Sequence, residues 1–409
     1  MNRGRRNFIA RTGIVGLGLL AAREPFRQLY GKEVAPMEPS PNSIRLFLCG
    51  DVMTGRGIDQ ILPHPGDPRL YEPYLKNAKA YVKLGEQLYG PISHPVGFSY
   101  VWGDALAEFE RARPDVRVIN LETAITASND YWRDKDIHYR MHPANIACLT
   151  AARIDCCVLA NNHVLDWGYR GLADTLDTLE QSSLKTAGAG RNRREAEAAA
   201  ILDIAGQGRV LVFGFGCGSS GIPPEWAAAD DKPGVNRPPD LSSETVRRLA
   251  DRIRRIKQER DIVVASIHWG GNWGYAIPDE QRGFAHALID DAGVDVVHGH
   301  SSHHPKALEV YRDKLILYGC GDFINDYEGI EGYESFRGDL ALMYFPTVNP
   351  ADGKLSSLEM IPLQIKRFRL NRPSEADVHW IRDRLDRENS QFGGAVEALD
   401  GRRLVLRWR

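Results

Sequence analysis

The chain has 409 residues, 43% hydrophobic and 26% charged, the composition of an ordinary globular protein with room for one large α/β domain or two smaller ones. Its 52 Lys and Arg against 54 Asp and Glu leave a net charge of −2, which argues against a general binder of nucleic acid or anionic membranes. The six cysteines show no CxxC spacing and mostly sit in apolar runs, so buried free thiols are expected rather than disulfides or a zinc knuckle.

Residues 1–22 read as a targeting segment. Arg5-Arg6-Asn7-Phe8-Ile9 is a twin-arginine motif in a basic stretch, and Thr12 to Ala22 is uncharged, apolar and too short to cross a bilayer comfortably. Export by the twin-arginine route to an extracytoplasmic or periplasmic place is expected, with a retained membrane anchor as the alternative to cleavage. Residues 23–43, rich in Pro and Gly, read as a linker.

A domain is expected over 44–370. Its first strand is Ile44 to Cys49, ending at Gly50-Asp51. Residues 60–100, with Pro, Gly and Tyr and no clean period, read as an excursion forming one wall of a cleft. Val116 to Ile119 is a second strand ending at Asn120-Leu121-Glu122, and Asp155 to Ala160 a third ending at Asn161-Asn162-His163. Leu172, Leu176 and Leu179 stand at helical spacing. Ile201–Ile204 and Arg209–Phe215 flank Gly206-Gln207-Gly208, a hairpin signal, so the sheets are mixed. Val246, Leu249, Ala250, Ile253 and Ile256 make an apolar helical stripe whose arginines are interleaved with acids, a solvated face. Three more apolar runs follow: Val263–Ile267 ends at His268, Val294–Val297 at His298-Gly299-His300, and Leu315–Tyr318 near Asp322 and Asn325. Strands are expected at Leu340–Phe345, Ser357–Pro362 and Gln364–Phe368. The segment 371–409 reads as a peripheral helix and tail. Five of the eight tryptophans, Trp102, Trp132, Trp167, Trp226 and Trp273, suit core or cleft wall equally.

Ligands of open α/β sheets sit beyond the carboxyl ends of the strands. Here those ends carry two carboxylates, an amide and several imidazoles, a donor set suited to Mn, Zn or Fe. Such a set can clamp a phosphoryl group, with a further imidazole moving the proton. Two local readings compete with this: His163 could serve only to hold its loop through Asp166, and His268 beside Trp269 could be a core histidine.

The order Gly50-Asp51, Asn120-Leu121-Glu122, Asn161-Asn162-His163, His268-Trp269-Gly270 and Gly299-His300-Ser301-Ser302-His303 resembles the bacterial capsule-synthesis family CapA, or PgsA of poly-γ-glutamate systems. That family is similar to calcineurin-like metallophosphoesterases, and the resemblance runs over roughly residues 44–330. It implies a four-layer α/β/β/α sandwich of two mixed sheets. By the same resemblance Glu122 bridges two cations and Asp51 and His303 hold the first. Asn162, His268 and His300 hold the second, and His163 is the acid. Asn161, Asp322 and Asn325 are candidates for substrate contact. The chain departs from the phosphoesterase pattern at Met53, where a metal-binding His is expected. It departs again at Glu122 in place of Asp, at Asp322 in place of the family's Asn, and at the two residues between His300 and His303. One ion, two or none are therefore all open. Three functions compete: synthesis or export of an anionic extracellular polymer of the poly-γ-glutamate type, with hydrolysis of a phosphate ester; a generic exported phosphoesterase; and a non-catalytic scaffold partnering membrane synthase subunits.

Overall fold

A computed structural model describes residues 42–408. The twin-arginine motif, and the linker up to residue 41, lie outside the described residues. Among the described residues no helix is long and apolar enough to cross a membrane.

Two mixed sheets form the framework. In the first, Ile44–Val52, Val116–Leu121, Cys156–Val158 and Lys185–Ala187 run parallel side by side. On the other side of Ile44–Val52, the strands Leu340–Val348, Leu355–Ile365, Leu404–Arg407 and Ala395–Ala398 continue the sheet antiparallel. In the second, Lys314–Leu317, Val296–His300, Ile262–His268 and Gly208–Gly216 are parallel. Leu308–Tyr311 and Ala200–Ile204 close its edges antiparallel, the latter through the Gly-Gln-Gly hairpin.

Side-chain alternation shows how the sheets stack. Successive residues of a strand point to opposite faces. In the second sheet Val210, Val212, Ile262, Val264, Val296, Leu315 and Leu317 join one core with Leu46 and Leu48 of the first sheet. Their neighbours Leu211, Phe213, Val263, Ala265, Val297 and Ile316 join another core with Val246, Leu249, Ile253, Phe284 and Leu288. Those last five come from the helices Ser243–Ile256 and Asp279–Asp290. The first of these helices starts on a Ser242 cap and pairs Arg247 with Glu244 and Arg254 with Asp251 on its wet face. On the far side of the first sheet, Ala105–Ala112 sets Phe109 edge-on to Phe47 at 4.7 Å, and Gly168–Gln181 buries Leu172, Leu176 and Leu179. The layers run helix, sheet, sheet, helix, the sandwich that the resemblance implies.

The C-terminal part differs from its expected form. Ser357–Pro362 and Gln364–Phe368 are not two strands, because Leu355–Ile365 is continuous. Pro362 is tolerated there because that edge pairs with Leu404–Arg407 at Glu359 and Met360 and with Leu370–Asn371 at Gln364 and Ile365, leaving Pro362 between partners. Beyond the helix Glu375–Asn389, two short strands return to the first sheet. All six cysteines are buried and free. Trp102, Trp167 and Trp226 are core residues, whereas Trp273 lines a cavity.

Candidate metal centre

The alternation that builds the core also aims the site. Val264 and Val296 face the first sheet, so Ser266, His268, His298 and His300, in register across the two strands, face it too. Opposite them Ile44–Val52 delivers Asp51, and Asp322–Ile324 lies parallel beside it with Asp322 level with Asp51. Gly50 makes this possible: a Cβ there would lie 1.5 Å from the Gly321 carbonyl oxygen. After His300 the chain turns through Ser301 at φ 100°, a strained conformation for a serine, which points its N–H at Asp51 Oδ2, 3.1 Å away.

A chain of hydrogen bonds sets the protons. His298 Nε2 lies 2.7 Å from the Cys49 carbonyl oxygen, which can only accept, so Nε2 carries the proton. Burial pushes the His298 pKa down to about 4, leaving Nδ1 as an acceptor. Ser266 Oγ, 3.0 Å away, donates to it and accepts from His300 Nε2 at 2.9 Å. His300 Nδ1 is then a bare lone pair. His268 Nε2 meets Asn162 Oδ1 at 3.0 Å, which leaves His268 Nδ1 bare as well. The two bare nitrogens are 2.8 Å apart, with Asp51 Oδ1 at 3.7 and 3.9 Å. Facing lone pairs repel unless a proton or a cation lies between them.

Among the described residues two groups of donors have the spacing of a cation site: Asp51 with His268 and His300, and Asp51 with His303 and Asp322. Asp51 belongs to both. Glu122 reaches the edge of the first group, its Oε1 lying 3.6 Å from His268 Nε2, while its Oε2 is buried with no partner. Burial, then the Asp322 charge, raises the Asp51 pKa to about 7, and burial, then Asp51, raises Glu122 well above the carboxylate range. His303 is raised: burial pulls it down, but Asp322 at 2.8 Å holds its proton. An orphaned carboxylate oxygen, two raised acids and two opposed lone pairs fit a divalent cation. Met53 is buried and its sulfur accepts from the Tyr327 hydroxyl at 3.3 Å.

His163 faces the same space. Its Nδ1 donates to Asp166 Oδ2 at 2.6 Å, and its Nε2 points toward Glu122 Oε1, 3.8 Å off. The bond to Asp166 and the aim into the site coexist. Burial, then the Lys135 ammonium, pushes the His163 pKa well down, so the ring is neutral. Asn161 sits behind the site: its amide nitrogen donates to Asn120 Oδ1 and the Leu121 carbonyl, and its oxygen accepts from the His163 backbone N–H. Asn325 donates to Asp322 at 2.8 Å.

Glu122, Asn162, His163, His268 and His303 floor a cavity of about 570 Å³. The excursion supplies one wall through Tyr74, Leu75, Tyr81 and Leu84. Arg56 and Lys135, which sequence reasoning passed over, also line it. Arg56 donates to Asp326, Glu72 and Tyr81. Lys135 donates to Asp166 and the Asn162 carbonyl, and its ammonium lies 3.0 Å from His163 Nδ1, which donates to Asp166 and so does not accept from it. A basic residue right after Gly50-Asp51-Val52-Met53-Thr54-Gly55 was the available signal for Arg56. For Lys135, in a polar loop remote in sequence from every motif, there was none.

A two-sheet sandwich with carboxylates, an amide and imidazoles converging on strand ends defines the class, a metallophosphoesterase-like α/β protein. Residues 45–327 match the family described as bacterial capsule synthesis protein PGA_cap, and the chain belongs to that family. It is 47% identical over 358 residues, 87% of this chain and 94% of the relative, to a probable polyglutamine synthesis accessory protein of Mycobacterium tuberculosis. It is 26% identical over 338 residues, 81% of this chain and 70% of the relative, to the capsule biosynthesis protein CapA of Bacillus anthracis. To the PGA biosynthesis protein CapA of Bacillus subtilis it is 29% identical over 247 residues, 60% of each chain.

Proposed function

We propose that this protein is an accessory protein of capsule or polyglutamate synthesis, working beside a membrane synthase through hydrolysis of a phosphate ester at a divalent cation centre. The facing lone pairs of His268 and His300 beside Asp51 carry the reading, because they make a cation the natural partner of that spot. Asp51, His268 and His300 would hold one ion, with Glu122 and Asn162 at its edge, and Asp51, His303 and Asp322 a second. Cations there would supply Lewis acidity, neutralising phosphoryl oxygens and lowering the pKa of water. Asp166 holds the proton of His163 on Nδ1, so Nε2 is the atom that takes a proton and returns it to the departing alkoxide. Asn161 fixes the His163 backbone, and the Tyr139 ring, edge-on at 4.3 Å, fixes its plane.

The test is metal content together with turnover of p-nitrophenyl phosphate. His163→Ala is expected to keep its metal and lose roughly two to four orders of magnitude in turnover. Loss of the metal in that variant would make His163 a ligand. A wild-type protein that holds metal but turns nothing over would favour the scaffold. Export by the twin-arginine route belongs to the same proposal. Arg5→Lys with Arg6→Lys should strand the precursor in the cytoplasm, since ammonium groups do not reproduce the guanidinium pair. Unchanged export would assign another route.

A further inference from the structure

We infer that the cleft takes an amphiphilic phosphate monoester, one anionic head with an apolar tail, rather than a polyanionic chain. The inference rests on the head binding at the cation centre proposed above; the tail site is carried by independent observations. The first is where apolar surface is left in water. Among the described residues the large exposed hydrophobics are Tyr74 (65%), Leu88 (54%), Tyr333 (48%), Ile330 (46%) and Leu399 (37%). Scattered singly such residues mean little, but all except Leu399 line one of two neighbouring cavities. The second cavity, about 320 Å³, shares Trp273, Tyr327, Ile330 and Tyr333 with the first. Trp273 and Tyr333 stack there at 4.2 Å with planes 4° apart, a preformed flat wall.

The second observation is charge. A polymer with a carboxylate on every unit needs free cations along its track. Every lysine and arginine lining the two cavities is already engaged. Arg56 is held by Asp326 and Glu72, Lys135 by Asp166, and Arg337 by Asp339 and Asp377. Asp136, Glu328 and Glu334 add negative charge to the walls. Only the floor, where His163, His268 and His303 meet Glu122, would accept an anion once cations are present. Away from the floor the walls are apolar or acidic, which suits hydrocarbon and repels a second anionic group.

The experiment is calorimetric binding of inorganic phosphate and of ethyl, butyl and hexyl phosphate to the manganese-loaded full chain. Affinity is expected to rise roughly two- to four-fold per added methylene, the range for partial to full burial of CH2. Tyr333→Ser with Ile330→Ser should flatten that rise, while Leu399→Ser, an exposed apolar residue away from the cleft, should leave it intact. Sedimentation with vesicles containing phosphatidate then tells a membrane lipid from a soluble ester, since only the former carries the protein down. If inorganic phosphate itself fails to bind, the cation-centre reading falls. If phosphate binds but the series is flat, or if a short poly-γ-glutamate displaces hexyl phosphate and itself binds more tightly, the amphiphile proposal is overturned and the centre stands.

Discussion

His298 has no place in the donor groups, yet it decides whether the His300 nitrogen that faces Asp51 is bare or protonated. Its bond to the Cys49 carbonyl fixes the proton on Nε2, and Ser266 passes that choice on. His298→Leu removes the acceptor of the Ser266 hydroxyl, which is then free to donate to His300 Nε2 and drive the proton onto Nδ1. Manganese affinity is expected to fall roughly 10- to 100-fold, the usual effect of losing a partner of a metal-binding histidine, with Ser266→Ala moving the same way. Calorimetric constants within two-fold of wild type in both variants would show that the chain sets nothing. Lys135 gives a second handle. Its ammonium, after burial, is the main cause of the depressed His163 pKa. Lys135→Gln should raise that pKa, visible by NMR titration of the His163 ring without any turnover. If neutral His163 must take the proton that it then returns to an alkoxide, the acid limb of the pH–rate profile should move to higher pH with it. A His163 titration that stays in place would mean that burial alone sets it.

At the scale of strands, the site was legible because its residues continue the pattern that makes the core. The run Val263–Ile267 places His268 by parity, and Val294–Val297 does the same for His300, so motif and strand announce one another. That parity also put His298 on the inner face, though not its reach to the opposite sheet, which depends on how closely the sheets pack. The strand Asp322–Ile324 was not legible. It has three residues, and only its pairing with Ile44–Val52 makes Asp322 a neighbour of Asp51. Ala395–Ala398 and Leu404–Arg407 stayed hidden for a like reason, four residues each being too few to show a period. The close approach at Gly50 is the element-level weak point. Gly50→Ala must push Ile44–Val52 away from Gly321, and should destabilise by about 3 kcal/mol, the upper end for overpacking. It should also loosen cation binding, because Asp51 moves with its strand. A urea midpoint shift below the equivalent of about 1 kcal/mol would show that the strands can part freely.

Across the whole molecule, two sheets bring acids and imidazoles together out of water, and the cation-free protein bears the cost. Burial, then Asp322, holds the folded Asp51 pKa at about 7, above that of an unfolded carboxylate. A raised acid pKa means that the folded state keeps a proton that the unfolded state has released. Between about pH 4 and 7 this group therefore lowers stability as pH rises, and above 7 it adds no further change. Buried histidines such as His163 and His298, whose pKa values are lowered, destabilise the fold in the opposite direction, toward acid, so the Asp51 effect is read against Asp51→Asn. Between pH 5 and pH 7 cation-free wild type is expected to lose melting temperature relative to that variant, with added manganese restoring more to wild type at pH 7, where less proton must be displaced. Equal manganese shifts at both pH values would show that no raised acid is involved. The central claim, that the buried cluster is a divalent cation centre built on Asp51, is tested most directly by titrating manganese into cation-free protein and its Asp322→Asn variant in a calorimeter. Two steps of unequal affinity are expected for wild type, the tighter at Asp51, His268 and His300. The weaker should shrink or vanish in Asp322→Asn, which keeps the first group whole. Absence of any saturable binding in wild type, with the protein shown folded by circular dichroism, would contradict the account.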